Sequence, residues 1–159
     1  MEQPQFSDNP HGGQYSTFGL QFHHLGLAVK EPAEARRFLE GLGYRFGGEI
    51  FDPLQNVNVM MCYHDTMPAV EIIFPASAGQ GPVTNLLATH KNGLIYHLCF
   101  RVDNLSECLT RMEAAGIRLF EISPPQPAVL FGGDPVSFYM VPGMGVIEII
   151  EGLTGTSTQ

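Results

Sequence analysis

The stretch HLGLAVKEPAEARRFLEGLG at His24–Gly43 decides the reading of this chain, because it returns without a gap as HLCFRVDNLSECLTRMEAAG at His97–Gly116. Six of the twenty paired positions are identical: His24/His97, Leu25/Leu98, Val29/Val102, Glu34/Glu107, Glu40/Glu113 and Gly43/Gly116. In both copies apolar residues alternate with a period of two and then switch, at the same point, to a helical spacing. Each copy therefore predicts a strand running into a helix, and the chain reads as an internal duplication.

Working outward, the first copy predicts a strand over residues 21–29 and a helix over 32–42, with Pro32 suited to a first helical turn and Gly43 to a stop. Strands follow over 44–51, 57–63 and 69–74, parted by the turn-forming DPLQN and HDTMP. The second copy repeats the order: a strand over 94–102, a helix over 105–115, an extended stretch over 118–131, and strands over 136–141 and 146–151. PVTNLLATHKNG supplies a short helix between the copies. The expected fold class is α+β, with two tandem βαβββ modules forming a curved, cup-shaped mixed sheet and helices on the outside. The expected boundaries are a polar tail at 1–20, module one at 21–75, a linker helix at 76–92, module two at 93–152 and a short tail at 153–159.

A chain of 159 residues leaves room for one such domain and no second. Its formal charge of −8, with only eight Lys and Arg, excludes a phosphate-tracking surface for nucleic acid. No run reaches the roughly 18 to 20 apolar residues that span a bilayer, and the first residues carry no secretory pattern. Cys62, Cys99 and Cys108 are odd in number, sit in apolar segments and lack disulfide-framework spacing, so they read as reduced thiols. These features together point to the cytoplasm.

Each copy also places a carboxylate on a later apolar strand, Glu71 in AVEIIF and Glu148 in GVIEII. A carboxylate inside a buried strand is costly unless it is paired, hydrogen-bonded or metal-bound. Alternation puts Leu25, Leu27 and Val29 toward the first helix and His24 away from it, and sets Leu98, Phe100 and Val102 against His97 in the same way. Two modules related by a pseudo-twofold axis would bring His24, Glu71, His97 and Glu148 into one cup, a set suited to a divalent metal. Asn58, Met60 and Cys62, with Ser137 and Tyr139 on the counterpart strand, are expected to face the same cup and contact a substrate, as is Arg101. His11, His23, His64 and His90 read as hydrogen-bonded structural residues.

These motifs carry a resemblance. FHHLGLAV, VEIIFP, GLIYHLCFRVDNL and FGGDPVSFYMVPGMGVIEIIE, in that order, resemble the vicinal oxygen chelate (glyoxalase/bleomycin resistance/dioxygenase) superfamily and, within it, the methylmalonyl-CoA epimerases. The resemblance covers about residues 22–151. It implies that His24, Glu71, His97 and Glu148 hold one divalent metal ion per chain, from among Co, Ni, Zn, Mn and Fe. It also implies an epimerase in which Glu148 doubles as a base, with Glu49 near the position of a second one. Where those epimerases carry His-Pro-Lys, this chain carries Val141-Pro142-Gly143.

The implied substrate is a small acyl or dicarbonyl compound, a coenzyme A thioester being one form, and the implied assembly is a homodimer. The same four ligands also serve a glyoxalase I-type lyase, the first alternative. An Fe(II) dioxygenase and a small-molecule-binding or resistance protein follow. Glu71 weighs against the dioxygenase, since a fourth protein ligand takes a position that dioxygen or substrate needs.

Overall fold

A computed structural model describes residues 16–76 and 81–152. His11, most of the predicted N-terminal tail, part of the linker and the tail at 153–159 lie outside the described residues. The first module comprises β1 (Gln21–Ala28), α1 (Ala33–Gly41), β2 (Arg45–Phe46), β3 (Ile50–Asp52), β4 (Val57–Tyr63) and β5 (Val70–Pro75). Helix α2 (Pro82–Thr89) leads to β6 (Leu94–Val102), α3 (Leu105–Ala114), β7 (Phe120–Pro127), β8 (Pro135–Val141) and β9 (Gly145–Glu151), with a 3-10 turn at Val129–Phe131. The expected second strand, 44–51, is two short strands instead, because the chain leaves the ladder at Gly47-Gly48.

The strands form one mixed sheet in the order β2-β4-β5-β1-β6-β9-β8-β7, with β3 also on β4. The order is symmetric about the β1–β6 seam. β1 pairs in parallel with β5 as β6 does with β9, while β1 and β6 run antiparallel. The duplicated sequence thus becomes a duplicated half-sheet, joined where the two histidine strands meet.

Helix ends follow local chemistry. Asn104 accepts from the Glu107 backbone N–H at 2.9 Å to start α3, and Gly43 and Gly116, with φ of 95° and 77°, allow the left-handed turns after α1 and α3. α1 presses Leu39 onto Val29, Met60, Cys62, Ile72 and Phe74, and α3 presses Leu105, Cys108 and Met112 onto Val102, Tyr139, Ile147 and Ile149. These packings fill the outer side of the sheet. α2 lies on the other side, where Val83 and Leu87 pack against Ala28, Val57, Val59 and Ile73. Leu130 of the 3-10 turn reaches this cluster from the second module, so the sheet curls until its two halves meet across the cup. No helix among the described residues is long and apolar enough to cross a membrane.

Two face assignments need correction. Met60 and Cys62 pack under α1, and Asn58 lies on the same side, opposite Phe74. Val57 and Val59 face the cup in their place, and Met61 pairs with Glu71. The second copy shows the same one-residue shift. Tyr139 packs against α3, and Ser137 lies opposite Ile149 on that outer side, while Val136 and Phe138 face inward. Both strands are buried on both faces, so alternation of apolar and polar residues could not tell the faces apart.

Candidate metal centre

The β1–β6 seam carries two irregularities in register, each adding one residue beside a histidine. His23 is extra between Phe22 and His24, and Tyr96 is extra between Ile95 and His97, which are the same position in the two copies. Each bulge brings the residue before the histidine toward the cup: the His23 ring contacts His24 and Phe131, and Tyr96 packs with the α2 cluster. Between the bulges His24 pairs with Cys99 and His97 with Gly26. Parallel pairing of β5 to β1 and of β9 to β6 then sets Glu71 beside Gly26 and Glu148 beside Cys99.

The result is one buried cluster of His24, Glu71, His97 and Glu148. His24 Nε2 lies 3.0 Å from Glu71 Oε2 and 3.4 Å from Glu148 Oε2, and His97 Nε2 lies 3.6 Å and 3.0 Å from the same oxygens. The two Nε2 atoms are 3.4 Å apart. Ligands held at the roughly 2.0 to 2.2 Å of a metal bond, at tetrahedral or octahedral angles, stand about 2.8 to 3.6 Å from one another. The spacing is compatible with a single coordination shell. Glu148 Oε2 is buried, makes no well-angled hydrogen bond, and stands 3.4 Å and 3.0 Å from the two imidazole Nε2 atoms. An orphaned oxygen in a set of two imidazoles and two carboxylates fits a divalent cation.

The electrostatics agree with a paired buried cluster. Burial alone would lower His97, but the Glu148 and Glu71 carboxylates at its Nε2 outweigh burial and raise it to about 9. The same opposition raises His24. Burial would raise Glu148, and the two imidazoles instead bring it down to about 2. His23 goes the other way. Burial, then the neighbouring His24 and Arg101, lower it to about 4, so it is a neutral ring at ordinary pH.

Beside the cluster lies a cavity of about 380 Å³ lined by Tyr96, Phe138, Val146 and Val136, by Val83 and Leu86 of α2, by Ile122 and Gln126 of β7, and by Asp52 and Gln55. Its size suits a small molecule, and among the described residues no Lys, Arg or His lines it. Tyr96 and Phe138 connect it to the cluster, their rings 4.5 Å and 5.7 Å from that of His97. Asp52 keeps both carboxylate oxygens on its own turn, accepting from the backbone of Leu54 and Gln55 and from the Gln55 side chain.

Of the expected site residues, His24, Glu71, His97 and Glu148 come together. Glu49 does not join them: it is exposed, in the link between β2 and β3. Arg101 shares the His97 side of β6, but its guanidinium donates to Asp134 at 2.8 Å in a partly exposed ion pair. Asn58, Cys62, Ser137 and Tyr139 sit on the outer faces already described. Tyr96 and Phe131 were missed because a bulge and a 3-10 turn carry no alternation signal, and Phe138 because β8 is buried on both faces. The duplication did mark Tyr96, as the residue matching His23.

Comparison with known proteins gives a consistent family. The family model described as the glyoxalase/bleomycin resistance protein/dioxygenase superfamily matches residues 23–138. An ethylmalonyl-CoA/methylmalonyl-CoA epimerase of Cereibacter sphaeroides is 26% identical over 121 residues, covering 74% of this chain and 86% of that protein. The crystal structure of methylmalonyl-CoA epimerase from Mycobacterium tuberculosis superposes with a TM-score of 0.66 at 18% identity, over 83% of this chain and 87% of that one. A variant of the Streptomyces coelicolor methylmalonyl-CoA epimerase in complex with 2-nitronate-propionyl-CoA gives 0.62 at 16% identity, over 84% and 95%.

Proposed function

Because the chain belongs to the glyoxalase/bleomycin resistance protein/dioxygenase superfamily, we propose that it is a divalent-metal-dependent epimerase, similar to methylmalonyl-CoA epimerase, that moves a proton on the carbon beside a carbonyl. The observation that carries this reading is the convergence of His24, Glu71, His97 and Glu148 beside a largely apolar cavity. The epimerase relatives support it.

His24, Glu71, His97 and Glu148 would hold one metal ion. A metal held there would supply Lewis acidity at a substrate carbonyl oxygen. The protein's residues do the rest. The cavity takes the acyl part of the substrate against Tyr96, Phe138 and Leu86 and excludes water from it. Glu148, following the resemblance, doubles as the base that takes the proton. Glu49 is too exposed to serve as the opposite base in this arrangement, and among the described residues no second carboxylate free of other partners lines the cavity.

The cavity's lack of cations bears on the substrate. A coenzyme A thioester would place its acyl end inside and keep its phosphates outside, since buried phosphate would need paired positive charge. The structure of a relative bound to 2-nitronate-propionyl-CoA is consistent with thioester substrates in this fold. Self-association as a homodimer belongs to the same reading, supported by edge strand β7, which exposes Phe120 and Ile122.

Elemental analysis of untagged protein purified without chelator, followed by solvent deuterium exchange into 2-substituted acyl thioesters, tests the proposal. About one Co, Ni, Zn or Mn per chain with exchange at the 2-carbon supports it. Metal with turnover only of thiol adducts of 2-oxoaldehydes would move the assignment to a lyase on the same ligands. No metal even after reconstitution would leave a binding protein.

A further inference from the structure

We propose that His23 is a positioning residue for the metal centre: it accepts the Nδ1–H of His24 and so holds His24 in the form whose Nε2 lone pair points inward. The inference rests on the metal-centre reading above and assigns a role to a residue outside the four ligands. The Nδ1 atoms of His23 and His24 are 2.7 Å apart, a separation that requires one proton between two ring nitrogens. If His23 held that proton, a neutral His24 would carry its own on Nε2 and could not bind a metal there. With the proton on His24, Nε2 is free and His23 is the acceptor.

The local fold is built for this contact. The register irregularity after Phe22 brings His23 beside His24, against the strand's ordinary alternation. Phe131 holds the pair from above, edge-on to the His23 ring at 5.5 Å and stacked on the His24 ring at 5.8 Å. The second copy lacks the device. Tyr96 occupies the matching bulge and meets His97 ring to ring, and His97 Nδ1 is buried with no hydrogen-bond partner. The two histidine ligands are therefore unequal, and His24 is the one whose orientation is fixed by a partner.

The test uses the full chain and Zn²⁺, with affinity measured by chelator competition and ring protonation read from long-range ¹H–¹⁵N correlations of the zinc-loaded protein. An Asn places its Oδ1 near the position of His23 Nδ1 and can accept the same proton; a Leu cannot. His23→Leu is expected to weaken zinc binding about 10- to 100-fold, and His23→Asn to recover most of it. The native spectrum is expected to show His24 protonated at Nδ1. Native affinity in His23→Leu, or equal losses in the Leu and Asn variants, would overturn the role of His23 while leaving the metal centre standing. A native chain that takes up no zinc would overturn both.

Discussion

Gly26 faces His97 across the β1–β6 seam, and a Cβ built on Gly26 would lie 2.2 Å from Cε1 of the His97 ring and 2.4 Å from both ring nitrogens. The imidazole occupies the space that a side chain would take. Its backbone is not the reason for the glycine: Gly26 is absent from the positive-φ residues. Gly26→Ala must displace His97, and overpacking of this kind costs about 1 to 3 kcal/mol. The expected outcome is a lower melting temperature together with metal binding weakened by at least about tenfold. Parallel thermal melts and zinc titrations check it; an Ala variant with native affinity would mean that His97 is not a ligand.

His97→Ala is expected to abolish metal retention and turnover together. The helices and sheet should survive, because His97 contributes no part of the two outer clusters that anchor α1 and α3. In chelator the variant should be less stable than the native chain by about 3 kcal/mol, since two buried carboxylates then share one imidazole. Circular dichroism, metal content and denaturation in chelator separate these effects. Retained turnover would exclude the cluster as the catalytic site.

The convergence of His24, Glu71, His97 and Glu148 was legible because the duplication supplied one His and one Glu twice, and matched positions outweigh the ambiguity of any single histidine. The walls of the cup were not legible. VNVMMCY in β4 is buried on both faces, as is most of PVSFYMV in β8, so Asn58, Ser137 and Tyr139 seemed natural cup residues and in fact lie outside. A cup whose strand walls are Val57, Val59, Val136 and Phe138 places its polarity in the ligands and their bulges. Those bulges, at His23 and Tyr96, depend on register between strands 73 positions apart, which no local pattern records.

Acid and base should act on the metal-free protein in opposite senses. His97 is raised from 6.5 to about 9, so its contribution to stability is complete below 6.5 and is lost as pH rises through 9. Glu148 is lowered from 4.5 to about 2, so its contribution is present above 4.5 and is lost as pH falls through 2. Chelator-treated protein should be most stable between these limits, near pH 4.5 to 6.5. Metal must displace the imidazole protons, so its affinity should rise from pH 6.5 toward 9 with proton release. Denaturation across pH, and calorimetry in buffers of different ionisation enthalpy, give the two curves.

The thiols should be silent in the native state. Cys62, Cys99 and Cys108 are free and buried. Burial pushes Cys62 up to about 11 and raises Cys108, while burial together with the Glu148 and Glu71 charges drives Cys99 far above the usual thiol range. A chromogenic disulfide reagent at pH 8 is expected to label none of them before denaturation and all three after it. Rapid labelling of the native chain at Cys99, which lies opposite His24 in the seam, would show that the cup opens to solvent.

Substrate choice should follow the apolar lining of the cavity. Each methylene of an acyl substituent buried there is worth about 0.8 kcal/mol, roughly fourfold in kcat/KM, until the space is full. Leu86 lines the cavity from α2 and is not one of the four clustered residues, so Leu86→Ala enlarges the cavity while leaving those four side chains unchanged. In a series of 2-alkyl acyl thioesters the native chain should show a rising kcat/KM that breaks at one chain length, and the variant should break at a longer one. A charge at the far end of the alkyl substituent, away from the metal, should be poorly used by both, because among the described residues no Lys, Arg or His lines the cavity to meet it. If the break does not move in Leu86→Ala, the acyl group occupies some other part of the cup, and the cavity beside Tyr96 and Phe138 is not the acyl site.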